Sequence, residues 1–253
     1  MHKSFPPASR WVRFVGRLRA ISFFGLLSLS ILLCSFWIIP IAIYFKKAWL
    51  IRWMNRTYLG VAHPLFGIKF DVQGKENFSD RTTVMVSNHQ SWLDITTIML
   101  EVRYPAFLAK KEIESWPFFG PAMKLVDCVF VDRNDRRSRQ KVALDIREKL
   151  ARGVDFCIFP EGTRSLDGSL GEFAGGAFRI AADAEALVTP VVIDNSWWML
   201  NKKGMRMFPG TIRVRVLPPI DTSLPENRDY KELVVRVHGQ MQAALAAMRG
   251  PSA

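Results

Sequence analysis

Residues 21–45 carry no charged side chain, and lysine or arginine brackets the stretch on both sides. As one helix it would be roughly 37 Å long at about 1.5 Å per residue, enough to cross a hydrocarbon core of about 30 Å with some tilt. A buried core helix rarely runs this far without a charge, so the stretch calls for membrane contact. Residues 1–70 hold ten basic side chains and no acidic one, whereas residues 71–253 hold 25 basic against 23 acidic. The formal net charge of +12 therefore surrounds the apolar run. This pattern attracts anionic head groups by about 1 kcal/mol per basic residue. It argues against nucleic acid as the partner, because no recognition motif accompanies the charge.

Pro40 is a point where that helix can break, and both flanks are basic. A spanning helix, a hairpin and an in-plane helix pair all remain open. The run is too long for a cleaved leader, and no small-x-small site precedes Lys46. We expect residues 1–60 to form a membrane-associated helix or helix pair, residues 61–248 one folded domain, and residues 249–253 a frayed tail. Cys34, Cys128 and Cys157 lack metal-ligand spacing and read as small buried side chains. Their odd number fits a reducing compartment, hence the cytoplasmic face of a membrane.

Beyond the apolar run, strand-length segments alternate with helical patterns, the mark of an α/β sheet flanked by helices. Residues 83–87 predict a strand that turns through Asn88 and His89 into a helix near residues 95–100. Further strands are expected at 106–109, 128–131, 156–159, 188–193 and 211–216. Helices are expected at 136–152, 175–185 and 230–248.

Three clusters can carry chemistry, each just after a strand. Asn88-His89-Gln90-Ser91-Trp92-Leu93-Asp94 puts an imidazole at a strand end with a carboxylate five residues on. Such a pair can take a proton from an alcohol, the carboxylate fixing the tautomer; Asp94 can equally cap the next helix. No Gly-x-Ser-x-Gly elbow is present, so the simplest nucleophile is a hydroxyl of the substrate. Phe159-Pro160-Glu161-Gly162-Thr163-Arg164-Ser165 offers a carboxylate, hydroxyls and a guanidinium that can hold a phosphate, and Val131-Asp132-Arg133 offers a second arginine. Each alone reads equally as a solvated turn or a surface ion pair. Together they suit the strand-end edge where α/β folds bind ligands.

In order, these blocks and Val188-Thr189-Pro190-Val191 resemble the four motifs of the glycerolipid acyltransferase family, bacterial 1-acyl-glycerol-3-phosphate acyltransferases in particular. The match runs from about residue 84 to 193, and residues 111–120 follow a further family pattern. The resemblance implies a single mixed-sheet acyltransferase domain with an N-terminal membrane-associated segment. It implies His89 as general base with Asp94 as its orienting partner. Arg133, Glu161, Gly162, Thr163 and Arg164 would bind the phosphate and glycerol of the acceptor, and Pro190 would shape the acyl-donor end. The donor would be an acyl-CoA or acyl carrier protein thioester, and no metal or resident cofactor is implied.

Many members of that family carry lysine where this chain has Ala174. This leaves a different lysolipid acceptor as the nearest alternative, with Lys202, Lys203 or Arg206 as substitute cations. A non-catalytic lipid-binding protein of the same fold is the alternative from another class; it would predict erosion at His89 or Asp94, and both are intact. His2, His63 and His238 read as surface or packing residues.

Overall fold

Parallel strands covered on both faces need continuous apolar runs, and residues 83–87 and 187–194 are buried along their whole length. The computed structural model describes residues 10–250 except 118, 133 and 201–205, with backbone alone for residues 10, 27 and 30–35. In chain order the elements are α1 (Arg10–Tyr44), α2 (Ala48–Leu65), β1 (Ile68–Gln73), β2 (Thr83–Ser87), α3 (Leu93–Thr97), β3 (Ala106–Lys110), α4 (Phe119–Leu125) and β4 (Val129–Val131). They continue as α5 (Arg136–Ala151), β5 (Phe156–Ile158), α6 (Gly176–Asp183), β6 (Leu187–Asp194), α7 (Ser196–Met199), β7 (Gly210–Val216), β8 (Ile220–Asp221) and α8 (Tyr230–Arg249).

The strands form one mixed sheet in the order β1-β7-β6-β2-β5-β3-β4, with β8 beside β6. β2 is central and parallel to β5 and β6, and β5 continues in parallel through β3 to β4. β7 runs antiparallel to β6 and takes β1 with it. The expected α/β sheet flanked by helices is therefore present. β1 and β8 were not among the expected strands, although IKFDVQ alternates apolar and polar side chains as a half-buried strand does, and its burial alternates with it.

Because side chains alternate along a strand, each strand serves two cores. Met85, Cys157, Val191 and Ile193 pack with Phe23 of α1, Ile51 and Ala62 of α2, and Leu93 of α3. Val84, Val86, Phe156 and Val192 face the other way, onto Val142 and Ile146 of α5, Phe178 of α6 and Val237 of α8.

Pro40 does not end the first helix; α1 continues to Tyr44. The chain reverses at Lys46, which takes a left-handed φ of 53°, and α2 follows. The apolar segment is thus one arm of a helix pair, and α2 passes through residue 60 to Leu65. Among the described residues no helix is long and apolar enough to cross a membrane. Both helices nevertheless expose large apolar side chains, including Trp11, Phe14, Phe36 and Trp37 on α1 and Trp49 and Trp53 on α2.

Candidate active site

The C-terminal ends of β2, β5 and β4 lie along one sheet edge, because all three run parallel through β3 and β5. The His89 and Glu161 blocks emerge there, after β2 and β5. Asn88 extends β2 by one residue: its amide donates to the Ile193 carbonyl and accepts from the Ile193 N–H, both at 2.8 Å, as a further backbone pair would. His89 follows. Its Nδ1–H donates to Asp94 Oδ2 at 2.9 Å, and its ring stacks on Phe159 with centroids 4.1 Å apart.

Asp94 is fully buried in the first turn of α3. It is not the N-cap, a position held by Trp92 without a side-chain bond. Oδ2 also accepts the Gln90 and Ser91 N–H groups at 2.6 and 2.7 Å, while Oδ1 is buried without a partner. A carboxylate that only accepts fixes Nδ1 as the protonated nitrogen, which leaves the Nε2 lone pair for a substrate proton. Nε2 makes no hydrogen bond among the described residues. The nearby serines are engaged elsewhere: Ser87 with Asn88 O, Ser91 with Leu200 O, Ser165 with Asp167, and Ser196 with Gln90. No protein hydroxyl among them is presented to His89.

The second block is clamped to the first. Glu161 Oε1 accepts the His89 N–H at 2.8 Å, Oε2 accepts the Gly171 N–H at 3.1 Å, and the Ser165 N–H donates to His89 O at 2.7 Å. The His89 peptide is therefore held on both sides. Burial pushes the Glu161 carboxyl up to about 7, with the Asp94 charge adding to the rise and the two N–H donors opposing it. Glu161 was expected to meet the acceptor; its two oxygens also organise main chain around the base. Gly162 takes a left-handed φ of 68° in a tight turn closed by its N–H to Phe159 O, a conformation that favours glycine. Gly162 and Thr163 are exposed at the loop tip. The Arg164 guanidinium lies 4.8 Å from the Trp92 ring centroid, and burial holds its pKa below the ordinary value.

Arg133, Lys202 and Lys203 lie outside the described residues. Pro190 is buried in mid-strand with its Cα opposite Val86, about 10 Å short of His89 along β2 at ~3.3 Å per residue. It marks the gap where β6 changes antiparallel partner from β8, which ends its pairing at Val188, to β7, which begins at Val191. Leu217 N–H donates to its carbonyl from that side. A residue without an N–H is tolerated at such a break. Arg206 borders Gly16 of α1, with its Nε buried and unpartnered. Among the described residues, no three His, Cys, Asp or Glu side chains gather as a metal site would require.

Some supporting residues carried no sequence signal. Gln90 Nε2 and Arg249 Nη2 both donate to Gly168 O, and Arg249 also pairs with the buried Asp194, which Arg213 holds from the other side. His238 donates to Gly171 O at 3.1 Å and so reaches the residue that Glu161 holds. His63 is fully buried, bonded to Thr96, with burial lowering its pKa to about 4.

A His–Asp pair on the strand-end edge of an α/β sheet, its carboxylate fully buried and its imidazole half-buried, with no serine hydroxyl presented to it among the described residues, fits a transferase that activates a substrate hydroxyl. The family profile described as Acyltransferase matches residues 69–194. A 1-acyl-sn-glycerol-3-phosphate acyltransferase of Chlamydomonas reinhardtii is 32% identical over 227 residues, 87% of this chain and 67% of that protein. The mouse 1-acyl-sn-glycerol-3-phosphate acyltransferase alpha is 33% identical over 197 residues, 74% of this chain and 69% of that one. The crystal structure of the 1-acyl-sn-glycerophosphate (LPA) acyltransferase PlsC from Thermotoga maritima superposes with a TM-score of 0.81 at 25% identity, covering 95% of this chain and 99% of that one. The chain belongs to the acyltransferase family that contains these enzymes.

Proposed function

We propose that this chain moves a fatty acyl group from a thioester to the free hydroxyl of 1-acyl-glycerol-3-phosphate, giving phosphatidic acid in phospholipid biosynthesis. The observation that carries the reading is the His89–Asp94 pair, with Nδ1 committed to Asp94 and Nε2 open. Nε2 takes the proton of the acceptor hydroxyl as its oxygen attacks the thioester carbonyl. When the carbon–sulfur bond breaks, the proton returns from the imidazolium to the departing thiolate. Asp94 stabilises the imidazolium between these steps.

Arg164, with Gly162, Thr163 and Arg133, takes the phosphate and glycerol of the acceptor, and Glu161 supports them through the main chain it holds. The donor is a co-substrate on coenzyme A or a carrier protein, and the cycle needs no resident cofactor or metal. α1 and α2 lie on the anionic cytoplasmic face of a membrane, supported by their exposed tryptophans and by the basic residues Arg13, Arg17, Arg19, Lys46 and Lys47. The acceptor already resides there, while the donor arrives from water.

Ala174 favours a second reading, the same transfer to another lysolipid. It is exposed beside the site loop, its N–H bonded to Pro160 O, and it contributes no cation. Incubating the detergent-solubilised chain with palmitoyl thioester and a panel of lysolipids, with products identified by mass spectrometry, tests both. Phosphatidic acid as the main product supports the first; acylation of a neutral or zwitterionic lysolipid alone replaces it with the second.

A further inference from the structure

Beyond the first 70 residues, the positive charge is concentrated on one helix. α5 holds six basic residues against two acidic, although residues 71–253 as a whole hold 25 against 23, so the rest of that region is net negative. Val142, Ile146 and Leu150 bury the inner face of α5. The 3.6-residue period therefore turns Arg137, Lys141 and Leu144 to water. Arg136, Arg137 and Lys141 are exposed and make no ion pair among the described residues. Leu144, 63% exposed, sits among them as an unpacked apolar contact. Beside the helix, a recess of about 380 Å³ is lined by Lys111, Lys124, Lys141 and Lys149, with Glu114 and Asp145 as the acidic members; Lys111 and Lys124 pair with Glu114 and Lys149 with Asp127, whereas Lys141 makes no ion pair among the described residues.

Position narrows the partner. α5 covers the sheet face opposite α1 and α2, so a lipid surface met by the N-terminal helices lies on the other side of the molecule. What α5 attracts comes from water. Its start lies on the same strand-end edge as His89, because α5 follows β4, three strands along the sheet from β2. Arg147 pairs with Asp183 and Lys149 with Asp127, so Arg136, Arg137 and Lys141 group in the first two turns of α5 with the exposed Leu144 beside them. Basic side chains set around an exposed apolar contact match the surface of an acidic protein.

We propose that the outer face of α5 and the lysine-lined recess beside it dock the acyl donor as a small acidic carrier protein. The proposal rests on the acyl-transfer reading and deepens it by choosing between the two forms of thioester. The test uses the full chain in detergent, with Arg137→Glu/Lys141→Glu and the milder Arg137→Gln/Lys141→Gln. Each is assayed with palmitoyl-carrier protein and with palmitoyl-CoA on the same acceptor, and melting temperature serves as the folding control.

The carrier-protein KM should rise about tenfold or more in the charge-reversed pair and less in the neutral pair, with kcat and palmitoyl-CoA kinetics within about twofold of wild type. Added salt should raise the carrier KM of wild type more than that of the variants. An unchanged carrier KM overturns the proposal, as does an equal loss with both donors, which would give the charge to a nucleotide phosphate. Wild-type transfer from palmitoyl-CoA but not from the carrier also overturns it while leaving acyl transfer standing. Product from neither donor defeats the acyl-transfer reading itself.

Discussion

One oxygen of Asp94 holds both the catalytic imidazole and the turn that presents it: Oδ2 accepts from His89 Nδ1 at 2.9 Å and from the Gln90 and Ser91 N–H groups at 2.6 and 2.7 Å. Asp94→Asn can keep an oxygen in that position, with its NH₂ turned to the site of the unpartnered Oδ1. The fold should survive with a loss of about 1–3 kcal/mol for the buried amide donors. The neutral side chain no longer stabilises an imidazolium, and kcat should fall by roughly 10²–10⁴ with KM nearly unchanged. Steady-state kinetics beside a thermal melt separate the two effects.

Glu161 gives a pH signature with a definite sign. Its folded pKa is raised to about 7 from an ordinary carboxylate value near 4.5. Between those values the folded protein binds a proton that the unfolded chain does not, so this group's contribution to stability declines as pH rises from about 4.5 to 7 and is flat above. Glu161→Gln should abolish that slope. The comparison to make is the wild-type minus variant melting temperature at several pH values from 5 to 8. Activity should also drop in the variant, because the amide N–H₂ would face the Gly171 N–H.

Gly168 has a φ of 81°, and a Cβ there would overlap the Trp197 indole while its carbonyl serves Gln90 and Arg249. Gly168→Ala should cost about 2–4 kcal/mol, a fall of roughly 5–10 °C in melting temperature. Gly239, on the exposed side of α8 with open space around its Cα, is the control: Gly239→Ala should leave the melting temperature equal or higher.

Arg164 rests over Trp92 with no carboxylate bonded to it among the described residues, so its charge is available to an acceptor phosphate. Arg164→Ala should raise the KM for the phosphate-bearing acceptor by about tenfold or more and leave the donor KM unchanged. Trp92→Ala should act in the same direction and more weakly. Equal effects on both substrates would contradict the assignment.

The sheet was legible where its strands are buried on both faces, as at β2, β5 and β6, because an unbroken apolar run bounded by turn residues has few other readings. β1 carries the same apolar–polar alternation as β7 although it was not among the expected strands, whereas the two-residue β8 leaves no periodic trace. Proximity of His89, Asp94, Glu161 and Arg164 followed from each lying just past a parallel strand. The division of labour among them did not, because main-chain N–H groups leave no mark in a sequence. The bracing of the base by Glu161, beside its expected place at the acceptor, was therefore not legible. Pro190 has a structural setting that its motif does not announce: it lies where β6 changes partner from β8 to β7. His238 and Arg249 reach the site loop from a helix 20 residues long that reads as ordinary packing.

The central claim is that His89 is the base for acyl transfer to a phosphate-bearing lysolipid. The most direct measurement is single-turnover transfer from a labelled palmitoyl thioester to lysophosphatidic acid, with wild type beside His89→Ala at equal folded concentration. The account predicts labelled phosphatidic acid from wild type and at least about a hundredfold slower formation by the variant. Equal rates in the two proteins, or no transfer by wild type to any lysolipid while it still binds them, would contradict it, and the second result would favour a lipid-binding role.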